Sequence, residues 1–231
     1  MATYVLVHGA WHSGAAWDRV VPLLTEAGHR VFAPTLSGHG DQAHLLRPEI
    51  GLDTYVDDVV RLLRDRDLRD VILVGHSFAG MVVSGAANRA PERVAHLVYL
   101  DAMVPVDGES AVDVMPMTAH LLDAAAASDT PWRVPPLPID FLGVTDPADV
   151  AWLGAMLTDE PERCYRQPVR MDHPALAAIP RTHIHCVGGP QRSDVTRRPV
   201  PATQPVWTLD SGHDCMITAP GELAELLRKL G

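Results

Sequence analysis

Residues 71–85, VILVGHSFAGMVVSG, place a serine between an apolar, β-branched run and a segment of helical period. Gly75 stands two residues before Ser77, Ala79 two residues after it and Gly80 three after. A strand that turns sharply into a helix needs small residues at these places, because the two elements come into close contact. The turn lifts the serine hydroxyl above the sheet edge and aims the following backbone N–H groups toward it. The usual pattern has Gly where this chain has Ala79, a difference of one methyl group. Five residues alone are a weak signal; the strand, turn and helix around them make it specific.

Outward from this stretch, short apolar runs alternate with helical ones. Strands are predicted at 3–7, 30–34, 71–75, 94–100, 182–188 and 205–209. Helices are predicted at 16–27, with Trp17, Val20, Val21 and Leu24 on one face, and at 53–66, with Val56, Val59, Val60 and Leu63. Asp53 is the expected N-cap of the second. A further helix follows Ser77 and a last one covers about 220–230. Near-continuous apolar strands alternating with helices imply an α/β fold: a doubly wound, mostly parallel sheet of about six strands, covered on both faces. Ligands of such sheets bind at the carboxyl ends of the strands.

Residues 104–180 break the rhythm between the fourth and fifth strands, being far longer than a crossover requires. They hold the proline-rich TPWRVPPLP (130–138), a helical piece near 146–158, and the apolar residues Met115, Met117, Leu121, Leu122, Trp132, Phe141, Leu142, Trp152, Met156 and Leu157. The expectation is a single domain over 1–231 with a helical cap at 104–180. The cap's apolar residues either line a ligand pocket or form the cap's own core, and periodicity alone does not separate the two.

Composition narrows the function. The formal net charge of −10 disfavours nucleic acid, whose binding rests on clustered Lys and Arg. No apolar run approaches the eighteen or so residues of a membrane span, and no signal-peptide pattern precedes the first strand. Cys164, Cys186 and Cys215 are too few and scattered for a disulfide framework. A cytoplasmic protein is expected, without nucleic-acid or membrane partners; a homodimer remains possible.

A serine hydroxyl needs a base to become a nucleophile. His213, in WTLDSGHDCM (207–216), lies between the last strand and the last helix, which puts it at the same sheet edge as Ser77. His76 is expected to point away from the pocket. His183 and His185 alternate on one strand face but lack convincing further metal ligands, so a structural pair is expected. His8-Gly9-Ala10 closes the first strand, and the Ala10 N–H can face a developing oxyanion. The Phe78 N–H, at the start of the nucleophile's helix, is the natural second donor.

With these motifs in place, the chain resembles the α/β-hydrolase superfamily over nearly its whole length. VLVHGAWHSGAAW (5–17), GHRVFAPTLSGHGD (28–41), VGHSFAGMVV (74–83) and SGHDCM (211–216) are most similar to the compact branch of plant methylesterases, hydroxynitrile lyases and short bacterial esterase-like proteins. That resemblance implies a Ser-His-acid triad, no metal or organic cofactor and a small helical cap. By motif, Ser77 is the nucleophile, His213 the base, and Ala10 and Phe78 the oxyanion donors. The departures are informative. Hydroxynitrile lyases of the branch carry lysine after the catalytic histidine and a hydroxyl residue after the first-strand histidine; here Asp214 and Gly9 stand there. Ser77 also excludes the aspartate-nucleophile chemistry of haloalkane dehalogenases and epoxide hydrolases.

The acid is harder to assign. The plant branch places it in the region matching HIHCVGGPQRSDVTRRP (183–199), where this chain offers two glycines and a proline, with Asp194 arriving late among arginines. Asp101 instead closes the strand after the nucleophile's helix, in the strand-acid-Ala context of some dehalogenases. Asp101 is favoured, with Asp194, and then Asp210 or Asp214, as alternatives; a turn acceptor would also account for Asp101. The favoured activity is hydrolysis of a small, largely apolar carboxylic ester, thioester or lactone through an acyl-enzyme. A non-hydrolytic lyase, cyclase or elimination catalyst of secondary metabolism keeps the same groups, and a ligand receptor on the same fold is a third possibility.

Overall fold

Tyr4, Val5, Leu6 and Val7 are all fully buried, although successive side chains of a strand point to opposite faces. The sheet they belong to is therefore covered on both sides. The computed structural model describes residues 1–188 and 198–231. Its strands are β1 (Thr3–Val7), β2 (Arg30–Phe32), β3 (Val71–His76), β4 (Val94–Leu100), β5 (Arg133–Val134), β6 (Glu160–Pro161), β7 (Arg181–Cys186) and β8 (Val206–Leu209). Six of them form a parallel sheet in the order β2-β1-β3-β4-β7-β8, while β5 and β6 form a separate antiparallel pair.

The helices are α1 (Val21–Glu26), α2 (Leu52–Asp65), α3 (Ala79–Arg89), α4 (Ala111–Val114), α5 (Ala119–Ala126), α6 (Pro147–Met156), α7 (Glu162–Arg166), α8 (Cys215–Thr218) and α9 (Pro220–Arg228). On one face Val5, Val7, Leu73 and Leu97 pack with Val56, Val59 and Leu63 of α2 and Val82, Val83 and Ala86 of α3. On the other, Leu6, Val74, Val98 and Leu100 pack with Leu24 of α1, Met216 of α8 and Leu223 and Leu227 of α9. Among the described residues no helix is long and apolar enough to cross a membrane.

Three local expectations change. The helix expected at 16–27 is a 3-10 turn, Gly14–Trp17, followed by a short α1. Pro22 has no N–H to donate and its ring opposes the carbonyl four residues back, so a continuous helix cannot run through it. Asp53 is not the N-cap of α2: Gly51 holds that place, its N–H bonded to Thr54 Oγ1 at 3.3 Å. Asp53 lies two positions beyond that cap, in the first turn, and is paired with Arg89 and Gln167. The segment between β4 and β7, here called the cap, is also more than helical, since β5 and β6 lie within it.

Chain order and strand order diverge around β1. The chain leaves β1 for β2 on one side and returns to β3 on the other, so a crevice opens between the carboxyl ends of β1 and β3. Ala10 and Ser77 follow those two ends. Close packing holds the crevice in shape. A Cβ on Gly80 would lie 1.9 Å from the Met103 carbonyl oxygen, so only glycine lets α3 approach the chain leaving β4. In the cap, Gly143 is left-handed (φ 83°) and presses backbone to backbone on Gly212, where a Cβ on either would come within 2.7 Å of the other's Cα. The Asp214 N–H donates to the Leu142 carbonyl across the same contact at 3.0 Å.

Candidate active site

Ser77 has φ 56°, a left-handed value for a residue with a side chain. Such strain costs about 1–3 kcal/mol and persists only where the surroundings impose it. Here the Ser77 N–H donates to Leu100 O at 3.1 Å, while Ser77 O accepts from Met103 N–H at 3.0 Å and Gly80 N–H at 3.1 Å. Asp101, one strand over, is also left-handed (φ 46°), with its N–H donated to Ile184 O at 2.7 Å. Two neighbouring parallel strands thus end in turned residues whose side chains meet the loop after β8.

That loop carries His213. Its Nε2 lies 2.8 Å from Ser77 Oγ and its Nδ1 2.8 Å from Asp101 Oδ2. The Cys186 N–H reaches Asp101 Oδ1 at 3.4 Å. An ionised carboxylate only accepts, so Nδ1 carries the proton and Nε2 is left to accept from the serine hydroxyl. Of the alternatives to Asp101, neither Asp210 nor Asp214 is hydrogen-bonded to His213 Nδ1. Asp214 is buried against His12, Asp210 is exposed, and Asp194 lies outside the described residues.

Below the ring of His213 sits His76, their centroids 4.5 Å apart. His76 Nε2 lies 2.9 Å from the His213 carbonyl and must donate to it. Burial, then the neighbouring His213, push the His76 pKa well below the ordinary imidazole value, so it stays neutral. Beside it, His12 has both ring nitrogens facing acceptors: Nδ1 at 2.7 Å from Ala10 O and Nε2 at 2.9 Å from Asp214 Oδ2. Burial opposes charge on His12, but Asp214 and the Ala10 carbonyl outweigh it and raise its pKa. Burial likewise opposes ionisation of Asp214, and His12 reverses that effect, leaving its pKa lowered. The two form a buried pair, each holding the other toward its charged form, with His12 beside the ring of His76.

Ala10 and Phe78 border the same cavity as Ser77. The residue after Ala10, Trp11, is left-handed (φ 69°). Its N–H donates to Glu160 Oε2 at 3.0 Å, its indole Nε1 to Val134 O at 3.1 Å, and its carbonyl accepts from Thr158 N–H at 2.9 Å. All three partners belong to the cap. Glu160 is fully buried, accepts from Tyr55 OH at 2.7 Å and lies 3.3 Å from His39 Nε2.

The cavity above Ser77 has a volume of about 320 Å³, within the range of small-ligand sites. Met103, Met115, Met117, Leu121, Leu137, Phe141 and Leu142 form most of its wall, with Thr118 and His120 as polar cap residues. Leu122 is instead packed in the core. Trp132 and Trp152 face Arg133 and Arg19 respectively, outside the cavity wall. His183 stacks on Tyr99 with ring centroids 5.1 Å apart and bonds Gln204 through Nε2 at 2.7 Å.

Residue types alone did not single out His12, Tyr55 or Glu160, because each gains its partners from elements distant in sequence. The HGAWH spacing in 8–12 was the one available signal, since it puts His12 two residues beyond Ala10.

Residues 4–226 match the model of the Alpha/beta hydrolase family. The chain is 34% identical over 244 aligned residues to the carbendazim hydrolyzing esterase of Nocardioides sp. (strain SG-4G), covering 100% of both chains. It is 36% identical over 104 residues to Methylesterase 1 of Arabidopsis thaliana, covering 44% of this chain and 40% of that one. Among solved structures it resembles a pyrethroid hydrolase from Sphingobium faniae JZ-2, with a TM-score of 0.75 and 27% identity, covering 99% of this chain and 96% of that one. A strained serine at a strand-to-helix turn and a match over nearly the whole length agree: the chain belongs to the alpha/beta hydrolase family, as a carboxylesterase-like member.

Proposed function

We propose that this protein hydrolyses a small, uncharged, largely apolar carboxylic ester, thioester or lactone, with Ser77 as nucleophile, His213 as base and Asp101 as the triad acid. The observation that carries the reading is the unbroken relay from Asp101 Oδ2 through His213 to Ser77 Oγ, two contacts of 2.8 Å opening into an apolar cavity. In this reading Ser77 Oγ attacks the carbonyl carbon while its proton passes to His213 Nε2. The charge on the carbonyl oxygen is met by the N–H groups of Ala10 and Phe78; one such donor is worth about 3 kcal/mol in the transition state. His213 returns the proton to the leaving alcohol or thiol, and the acyl group remains on Ser77. Water then repeats the sequence, its proton taken by His213, and the acid is released.

Asp101 holds the imidazole in the required tautomer and stabilises the imidazolium that forms at each transfer. Methionines adapt to ligands of irregular shape, and among the described residues no Lys or Arg lines the wall to favour an anionic substrate. The full-length likeness to an esterase supports hydrolysis. Asp214, committed to His12, stands where the plant lyases carry lysine, which speaks against cyanohydrin cleavage.

The test is a panel of aryl and methyl esters of short acids, run in water enriched in the heavy oxygen isotope, with Ser77→Ala alongside. Expected is ester cleavage with one labelled oxygen in the acid product, and a loss of at least a thousandfold in Ser77→Ala. Cleavage that survives Ser77→Ala, or a folded protein whose Ser77 never reacts with a fluorophosphonate, would refute the reading.

A further inference from the structure

The peptide unit between Ala10 and Trp11 ends on a buried ionisable side chain at each side. Its N–H, on Trp11, points to Glu160 Oε2 at 3.0 Å, and its carbonyl, on Ala10, to His12 Nδ1 at 2.7 Å. We propose that Glu160 and His12 are positioning residues that hold this peptide, and through it the Ala10 N–H, in register with Ser77. The proposal rests on the reading that Ala10 N–H donates to the reacting oxygen.

A peptide unit is planar, so fixing its N–H and its carbonyl fixes the orientation of the whole plane. The Ala10 N–H is one rotatable residue away and follows that plane. The clamp also explains how Trp11 keeps its left-handed backbone, a state that needs imposed contacts. Both clamping groups are biased toward their charged forms. Burial raises the Glu160 pKa, but attraction to His39 and hydrogen bonds from His39, Tyr55 and the Trp11 backbone bring it below the ordinary carboxyl value. Hydrogen bonds to charged groups are roughly twice as strong as neutral ones, and the low internal dielectric favours them further.

The origins of the two groups give the clamp its meaning. Glu160 comes from β6 in the cap, 149 residues beyond Trp11. His12 is paired with Asp214, the residue next to His213. One peptide is therefore set by the cap on one side and by the loop of the base on the other. A misplacement of about 1 Å at a reacting centre can lower a rate about a hundredfold.

The test is Glu160→Gln, which keeps the side-chain shape and removes the charge. The readouts are kcat and KM on p-nitrophenyl acetate, affinity for an alkyl boronic acid that forms a tetrahedral adduct on Ser77, and the melting temperature. Expected is a fall in kcat of about 10–100-fold with KM within threefold, and a fall of the same factor in boronate affinity. A purely structural role moves the melting temperature without this matched pair; kcat and boronate affinity within twofold of the parent protein would overturn the proposal. Should Glu160→Gln not fold, Tyr55→Phe removes the hydrogen bond to Glu160 Oε1 together with the 2.8 Å contact between the same hydroxyl and His39 Nε2, so both side chains that support Glu160 are loosened. It is expected to lower kcat several-fold at constant KM, and unchanged kcat would again overturn the clamp. Absence of Ser77-dependent cleavage in the parent protein is a different failure, since it removes the catalytic reading itself.

Discussion

Asp101→Asn separates chemistry from folding more cleanly than any other single change at this site. Asn has the shape of Asp and tolerates the left-handed backbone nearly as well, so φ 46° at position 101 is retained. The Cys186 N–H, 3.4 Å from Oδ1, still finds a side-chain oxygen. The amide nitrogen then occupies the place of Oδ2, 2.8 Å from His213 Nδ1. An amide N–H₂ donates and does not accept, so Nδ1 must give up its proton and Nε2 must carry it. In that tautomer Nε2 cannot take the Ser77 proton, although the heavy atoms have not moved. The expected loss in kcat is about 10³–10⁴-fold, or roughly 4–5 kcal/mol of transition-state stabilisation. Folding stability should change by no more than about 1 kcal/mol, because the buried hydrogen bonds are kept, one with its direction reversed, while the cost of burying a charge is removed. Asp101→Ala should lose activity as well, and additionally destabilise the fold by about 1–2 kcal/mol through backbone strain. The assay is kcat on an aryl ester with urea denaturation of the same samples. A folded Asp101→Asn protein within tenfold of the parent rate would refute the tautomer argument.

Stability should peak near pH 6.5. His8 and His76 are fully buried and, chiefly through burial, have pKa values well below the ordinary 6.5. Below pH 6.5 the unfolded chain binds protons that the native state refuses. Stability therefore falls with falling pH, by up to about 1.4 kcal/mol per pH unit for each group. His12 acts in the opposite sense: its raised pKa means stability is lost as pH climbs above 6.5 through the folded value. Urea denaturation at pH 5, 6.5 and 8 tests both limbs, and a curve still rising from 6.5 to 8 would contradict the charged state of His12. Gly80→Ala should destabilise by about 3 kcal/mol or more, because the new methyl meets the Met103 backbone oxygen and no rotamer can relieve it. A loss below about 1 kcal/mol in urea denaturation would show that α3 shifts freely.

The main sheet was readable because its strands are buried on both faces, which leaves runs such as VAHLVYL and VILVG almost unbroken by polar residues. The turn at Ser77 was readable because its steric demands fall on adjacent positions. The cap was legible as an interruption with one helical piece, near 146–158, which α6 matches. Its two-residue strands β5 and β6 are too short to leave a period, and α5, Ala119–Ala126, is rich in alanine and shows little contrast between faces. The Trp11–Glu160–Tyr55 arrangement left no trace in the sequence, because a hydrogen bond across 149 residues has no local pattern. Asp53 shows the converse: its residue type favours helix starts, yet the cap lies two positions earlier, at Gly51, and the helix has already begun at Leu52.

The contact between Gly143 and Gly212 bears on how a substrate enters. Leu142 forms part of the cavity wall and also accepts the Asp214 N–H, beside His213. Lifting this part of the cap breaks that bond and frees the backbone that carries the base. In the proposed mechanism, a gate that opened here would displace the base. The side chains at the rim offer a way in that leaves this contact whole, since Met117 and Phe141 line the cavity while remaining 50% and 38% exposed. Their rotamers change in picoseconds to nanoseconds, so the doorway can flicker while the frame that aligns Ser77 and His213 stays shut.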